Sequence, residues 1–281
     1  MEISDKILVA VGYYGGYGGS FFCNILRKSL EKESREIVPI NNRNEYNFES
    51  SALGAEKYTI DVVMKAYDKG FDILLDVEFF ERTKDPKYAW SGLVNKVFME
   101  CYDVDRAVFC DNLTNYLKKR LRLKTGFNVV NFHYSRKHGG FSIHNIHDRV
   151  IFFLLSADNL KHHVLFDLMF NIKQKHFIHP NFVSQSLEDL VGTPRKRQPF
   201  DSCHLLDVGK MFLQTKDNGI EEAERIISEA VGMKISLDKE MIEVYSKSNV
   251  KLLNEFLSID IEEAEYRDVL RAAEKKLKSL L

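Results

Sequence analysis

Apolar residues along this chain follow two rhythms, one continuous and one spaced by three or four. The stretch "KILVAVGY" is an unbroken apolar run bounded by glycine. That is the pattern of a strand buried on both faces of a parallel sheet. After it the spacing changes. Phe22, Ile25, Leu26 and Leu30 recur at helical intervals, and Ser20 suits an N-cap for a helix that begins near it. "REIVPI" reads as a short second strand, "TIDVVMKAYDKG" as a helix with a glycine stop, and "FDILLDVEFF" as another buried strand. Residues 88–123 read as mostly helical and end in the basic "NYLKKRLRLK".

Two strongly apolar strands follow, "GFNVVNFHYS" and "DRVIFFLLS", separated by about 14 residues of polar loop, too few for a long crossover helix. A helix is expected from about Asp158, which would cap it, to Lys175. Residues 180–204 read as loop and carry "TPRKRQPF". From about Leu205 the chain reads as three helices, "LLDVGKMFL", "GIEEAERIISEAVG" and "DKEMIEVYSKSNVKLLNEFL", then a charged terminal helix, "IEEAEYRDVLRAAEKKLKSLL". Strands alternate with helices for two thirds of the length and helices close it. The expected fold is therefore an α/β three-layer sandwich with a central, mostly parallel sheet. It forms one domain over residues 1–281, with 205–281 as a helical C-terminal subregion.

Composition narrows the field of functions. With 281 residues the chain can bury a full core. A net charge of −1 supplies no global field for nucleic acid or membrane. The basic "LKKRLRLK" therefore reads as a solvated helix face, and no nucleic-acid partner is expected. Cys23, Cys101, Cys110 and Cys203 are far apart and form no CxxC pair, the usage of reduced thiols in a cytoplasmic setting. No apolar run approaches the roughly 20 residues that span a bilayer, and the N-terminus lacks a secretory apolar region. The expected location is the cytoplasm.

Chemistry concentrates where the first strand meets the first helix. Gly12, Gly15, Gly16, Gly18 and Gly19 fall within eight residues. Such a run costs conformational entropy unless the backbone must turn sharply or lie close to something. A glycine loop at a helix N-terminus is where α/β folds hold phosphate, through bare N–H groups and the helix dipole. The run is neither G-x-x-x-x-G-K-[ST] nor a clean G-x-G-x-x-G, because no Lys follows Gly12 before Arg27 and Phe21 stands where the last glycine belongs. A tight turn without a ligand is the plain alternative. His133 ends an apolar strand, on the edge where such sheets bind ligands, and an imidazole there can take a proton from a hydroxyl; the alternative is a histidine that only bonds a loop. Arg195, Lys196 and Arg197 form a basic run between prolines, which suits phosphate or sulfate as well as a solvated loop. "HNIH" and "HFIH" have HxxH spacing but no evident second pair of ligands, so no metal is expected.

The loop's end, "GYGGSFFCNIL", is similar to the phosphosulfate-binding loop of P-loop sulfotransferases, P-[KR]-S-G-[TS]-[TS]-[FLW]. Aligned so, Gly18, Gly19, Ser20 and Phe21 fall on S-G-T-T, and the family's basic residue falls on Tyr17. "FNVVNFHYS" resembles the strand that ends in the family's base histidine, here His133. "DRVIFFLLSADNLKHHVLFDL" resembles the next strand and helix, with the family's phosphate-gripping Arg falling on Leu155 and its partner Ser on His163. The C-terminal "HLLDVGKMFL" and "Y…N…L" helix also resemble the ends of bacterial and viral members.

The resemblance implies a P-loop NTPase-like sheet. It implies sulfuryl transfer from PAPS (3′-phosphoadenosine 5′-phosphosulfate) to a hydroxyl of a carbohydrate or other small molecule. His133 would be the base, and Gly16, Tyr17, Gly18, Gly19, Ser20, Phe21, Ser156, His163, Arg195, Lys196 and Arg197 would contact the donor. Two other readings stay open. "GGYGGSFFCNILRKSL" is similar to the "GGLGNQMFQYA" opening of GDP-fucose-dependent fucosyltransferases, although "VVNFHYSRKHGG" lacks their adjacent Arg and Asp. Tyr17 and Leu155, in place of two cations, would also suit a P-loop-derived protein that binds without catalysing.

Overall fold

The computed structural model describes residues 5–14, 16–30, 74–76, 123, 125–133, 143–191, 202–215 and 219–281. Strand β1 is Lys6–Tyr13, which coincides residue for residue with the predicted apolar run. Leu8, Val9, Ala10 and Val11 are fully buried, as a strand covered on both faces must be. Helix α1 is Gly19–Leu30, so Ser20 lies in its first turn rather than at its cap. Strand β2 is Leu74–Asp76 and strand β3 is Gly126–His133. The expected "REIVPI" strand, the "TIDVVMKAYDKG" helix and the helical reading of 88–123 lie outside the described residues, apart from Leu123.

After a 3-10 turn at Ile143–Asn145 comes strand β4, Val150–Ser156. Helix α2 is Leu160–Lys173. Its cap is Asn159, not Asp158: the Asn159 side chain accepts from the His162 amide at 2.8 Å. Five successive residues, His162 to Phe166, are buried, so α2 is covered on more than one face.

Two segments differ from expectation. Residues 180–191 are not loop; they form helix α3, Pro180–Val191. Proline at the first helical position sacrifices no intrahelical bond, and Val183 is buried. Nor does "LLDVGKMFL" form one helix. His204–Asp207 is strand β5, and the Asp207 side chain accepts from the Gly209 amide at 2.8 Å to start helix α4, Val208–Leu213. The helical C-terminal part thus begins at Val208. It continues as α5, Ile220–Val231, α6, Lys239–Leu257, and α7, Tyr266–Lys278.

Among the described residues all the strand pairs are parallel, in the order β2-β3-β1-β4-β5. The strand that carries the glycine loop is therefore central. Later strands add to one side of it as β2 and β3 and to the other as β4 and β5. Strand order, not strand direction, changes side at β1, which makes the crevice at its carboxyl end, against β4, a topological switch point of the sheet. Helix α1 is tied to β3 by Arg27, whose Nε and Nη2 donate to the Val129 carbonyl at 3.1 and 2.6 Å. The fold is α/β with a parallel sheet, as expected.

Candidate functional site

The carboxyl edge of the sheet gathers the sequence candidates. In the ladder register, Tyr13 of β1 pairs with His133 of β3, and His133 pairs with Asp76 of β2. The candidate base thus ends its strand beside the residue that opens the glycine loop, with a carboxylate-bearing position on its other flank.

The loop itself is wound tightly. Gly16 and Gly18 take φ of +87° and +70°, a region that costs other residues about 1 kcal/mol or more. The Tyr17 amide donates to the Tyr14 carbonyl at 3.1 Å. The absence of side chains serves close approach to three helices. A Cβ at Gly16 would lie 2.5 Å from the Phe166 carbonyl oxygen of α2, and one at Gly18 would lie 3.0 Å from Tyr245 Oη of α6. A Cβ at Gly19 would lie 1.9 Å from the Tyr13 ring.

The large side chains within and just after those glycines turn inward. Tyr17 is fully buried, stacks on Phe166 at 4.4 Å between centroids, and shares a hydrogen bond with Nδ1 of His163. Phe21 stacks on Tyr245 at 3.9 Å and meets Phe212 of α4 edge-on. Tyr17 and Phe21 can therefore meet a ligand at this loop only through main-chain groups. His163, which the resemblance makes a donor contact, is 5% exposed and held by Tyr17. Leu155, where the sulfotransferase pattern has an arginine, is fully buried. Ser156 is half-buried at the end of β4, and its hydroxyl donates to the Leu206 carbonyl at 3.4 Å. Arg195, Lys196 and Arg197 lie outside the described residues, as does the Ser20 side chain.

Across the crevice stands a cluster that sequence reading missed, at the ends of β4 and β5. Asp207 caps α4, and burial together with the neighbouring Asp158 carboxylate pushes its carboxyl up to about 6. His162 is buried and its imidazole is held down to about 4, first by burial and then by the charges of Lys161 and His163. Gly209 packs on it: a Cβ there would lie 2.2 Å from His162 Nδ1. At neutral pH the His162 imidazole is therefore neutral. The signal that could have found it is the "SADN…HH" and "LLDVG" pair, each placing a cap residue at a strand's carboxyl end.

The HxxH pairs have structural partners. His144 and His147 use Nε2 to reach the Ser202 and Lys6 carbonyls at 2.7 and 2.8 Å. His176 bonds Asn171 and stacks on Phe182. Among the described residues no group of three His, Cys, Asp or Glu side chains is placed to hold a metal. Cys23 is buried and Cys203 half-buried. No described helix is long and apolar enough to cross a membrane. No family model matches the chain, and no curated protein or solved structure matches it.

Proposed function

We propose that the chain is a P-loop-like transferase that moves a sulfuryl group from PAPS to a hydroxyl of a carbohydrate or small molecule. The observation that carries this reading is the register Tyr13–His133–Asp76 at the carboxyl edge, which sets a histidine directly beside the turn into the glycine loop. Amides at the start of α1 would receive the phosphate end of the donor, aided by the helix dipole. His133 would accept the acceptor's hydroxyl proton as its oxygen bonds to sulfur and the bond from sulfur to the phosphate oxygen breaks, releasing 3′-phosphoadenosine 5′-phosphate. Charge balance in this reading falls to Arg195, Lys196 and Arg197.

A second reading, a binding protein without catalysis, is favoured by one observation. Tyr17 and Leu155, the two positions where the sulfotransferase pattern has cations, are both core residues. Thermal melting separates the readings. A rise with 3′-phosphoadenosine 5′-phosphate and none with GDP supports sulfuryl transfer. The reverse supports fucosyl transfer, and no rise with either supports the binding protein. His133→Ala should abolish transfer with nucleotide affinity nearly intact; full turnover in that variant removes His133 from the base role.

A further inference from the structure

We infer that Tyr17 and His163 act together as a positioning pair that sets the anion affinity of the glycine loop; this rests on the reading above. Tyr17 stands between two glycines in left-handed conformation, so the chain doubles back around it. Its ring is wholly buried, lies at 27° to the Phe166 ring, and its hydroxyl is hydrogen-bonded to His163 Nδ1. Both partners, Phe166 and His163, belong to α2, the helix that leaves β4. Tyr17 leaves β1. The contact therefore spans the switch-point crevice and pins the loop to the opposite wall.

A loop of small residues has many conformations, and ordering it on binding would weaken any ligand. Tyr17 removes that cost beforehand: its ring and hydroxyl fix the turn, and with it the direction of the amides around residues 16–19. The position that the sulfotransferase pattern gives to a cation is here an anchor, so the pair acts on the ligand through the backbone and not by touching it.

The test uses the full chain and two probes, 3′-phosphoadenosine 5′-phosphate and inorganic pyrophosphate, titrated by calorimetry. Tyr17→Phe removes one oxygen and keeps the stack. It should weaken both probes about fivefold, the scale of one lost hydrogen bond. Amide hydrogen exchange at 16–19 should quicken while that of α6 and α7 stays unchanged. His163→Ala should do the same, His163→Gln should restore most of the affinity, and the Tyr17→Phe/His163→Ala double variant should be no weaker than either single one.

Pyrophosphate binding that weakens in Tyr17→Phe, with no binding of the nucleotide, removes the PAPS reading and keeps the pair. Nucleotide binding unchanged in Tyr17→Phe overturns the pair and keeps that reading. Binding of neither probe overturns both.

Discussion

Replacing Gly19 with alanine isolates what the glycine run does for packing. Gly19 opens α1 without a left-handed φ, so an added methyl carries no backbone strain and its effect is steric. That Cβ would lie 1.9, 2.1 and 2.3 Å from Cδ1, Cγ and Cε1 of Tyr13. Tyr13 is 5% exposed, so its ring has no free space to enter. Overpacking of this kind costs typically about 1–3 kcal/mol, and a clash with three ring atoms belongs near the upper end. At about 2–4 °C per kcal/mol for large single domains, melting should fall by roughly 6–12 °C. Urea unfolding of wild type, Gly19→Ala, Tyr13→Ala and the double variant completes the measurement. Removing the ring should relieve the clash, so the double variant should be markedly more stable than the summed single effects predict. A Gly19→Ala protein within about 0.5 kcal/mol of wild type, or strict additivity, would refute the packing role of this glycine.

Other outcomes are open to measurement. Asn159→Ala should lose about 1 kcal/mol of stability in denaturant unfolding, because the His162 amide loses its cap. Asp207 and His162 give opposite pH dependences. Asp207, raised from 3.8 to about 6, binds more proton when folded, so its contribution falls as pH rises through that window. His162, lowered from 6.5 to about 4, binds more proton when unfolded, so stability is lost as pH falls through its window. Asp207→Asn keeps the α4 cap and removes the first effect, so its melting temperature should drop more steeply than wild type between pH 6.5 and 4. Parallel curves would contradict the Asp207 assignment. Arg195→Ala should weaken nucleotide binding, and unchanged affinity in calorimetry would make that loop bystander surface.

Legibility of the fold followed the length of each pattern. β1, β3 and β4 are seven or eight residues of apolar chain, and their positions were plain from sequence. β5 has four residues and ends in its own helix cap, so strand and helix ran together in the sequence pattern. α3 does carry apolar residues at helical spacing, Val183, Leu187, Leu190 and Val191, but it buries only Val183, and the Pro-bounded basic run that follows drew the whole span into a loop reading. Cap choice between Asp158 and Asn159 depended on backbone geometry that neighbouring cap residues share in sequence. At the site, the glycines announced close approach, but not to what. Tyr17 is one of three tyrosines among them, and its partner His163 lies 146 positions away on a helix. The Asp207–Asp158–His162 cluster escaped notice because its members meet only after β5 has paired with β4.

That pairing has a consequence for how the chain is protected from itself. β4, "VIFFLLS", is an apolar run of strand-forming residues, and on the side away from β1 four residues of β5 are, among the described residues, what pairs with it. β5 in turn is held by Asp207 and α4, at the head of the terminal helices. A chain cut before His204 would leave that edge bare and ready to template stacking with its own copies. The last quarter of the protein thus guards solubility, independently of whatever ligand the opposite crevice takes.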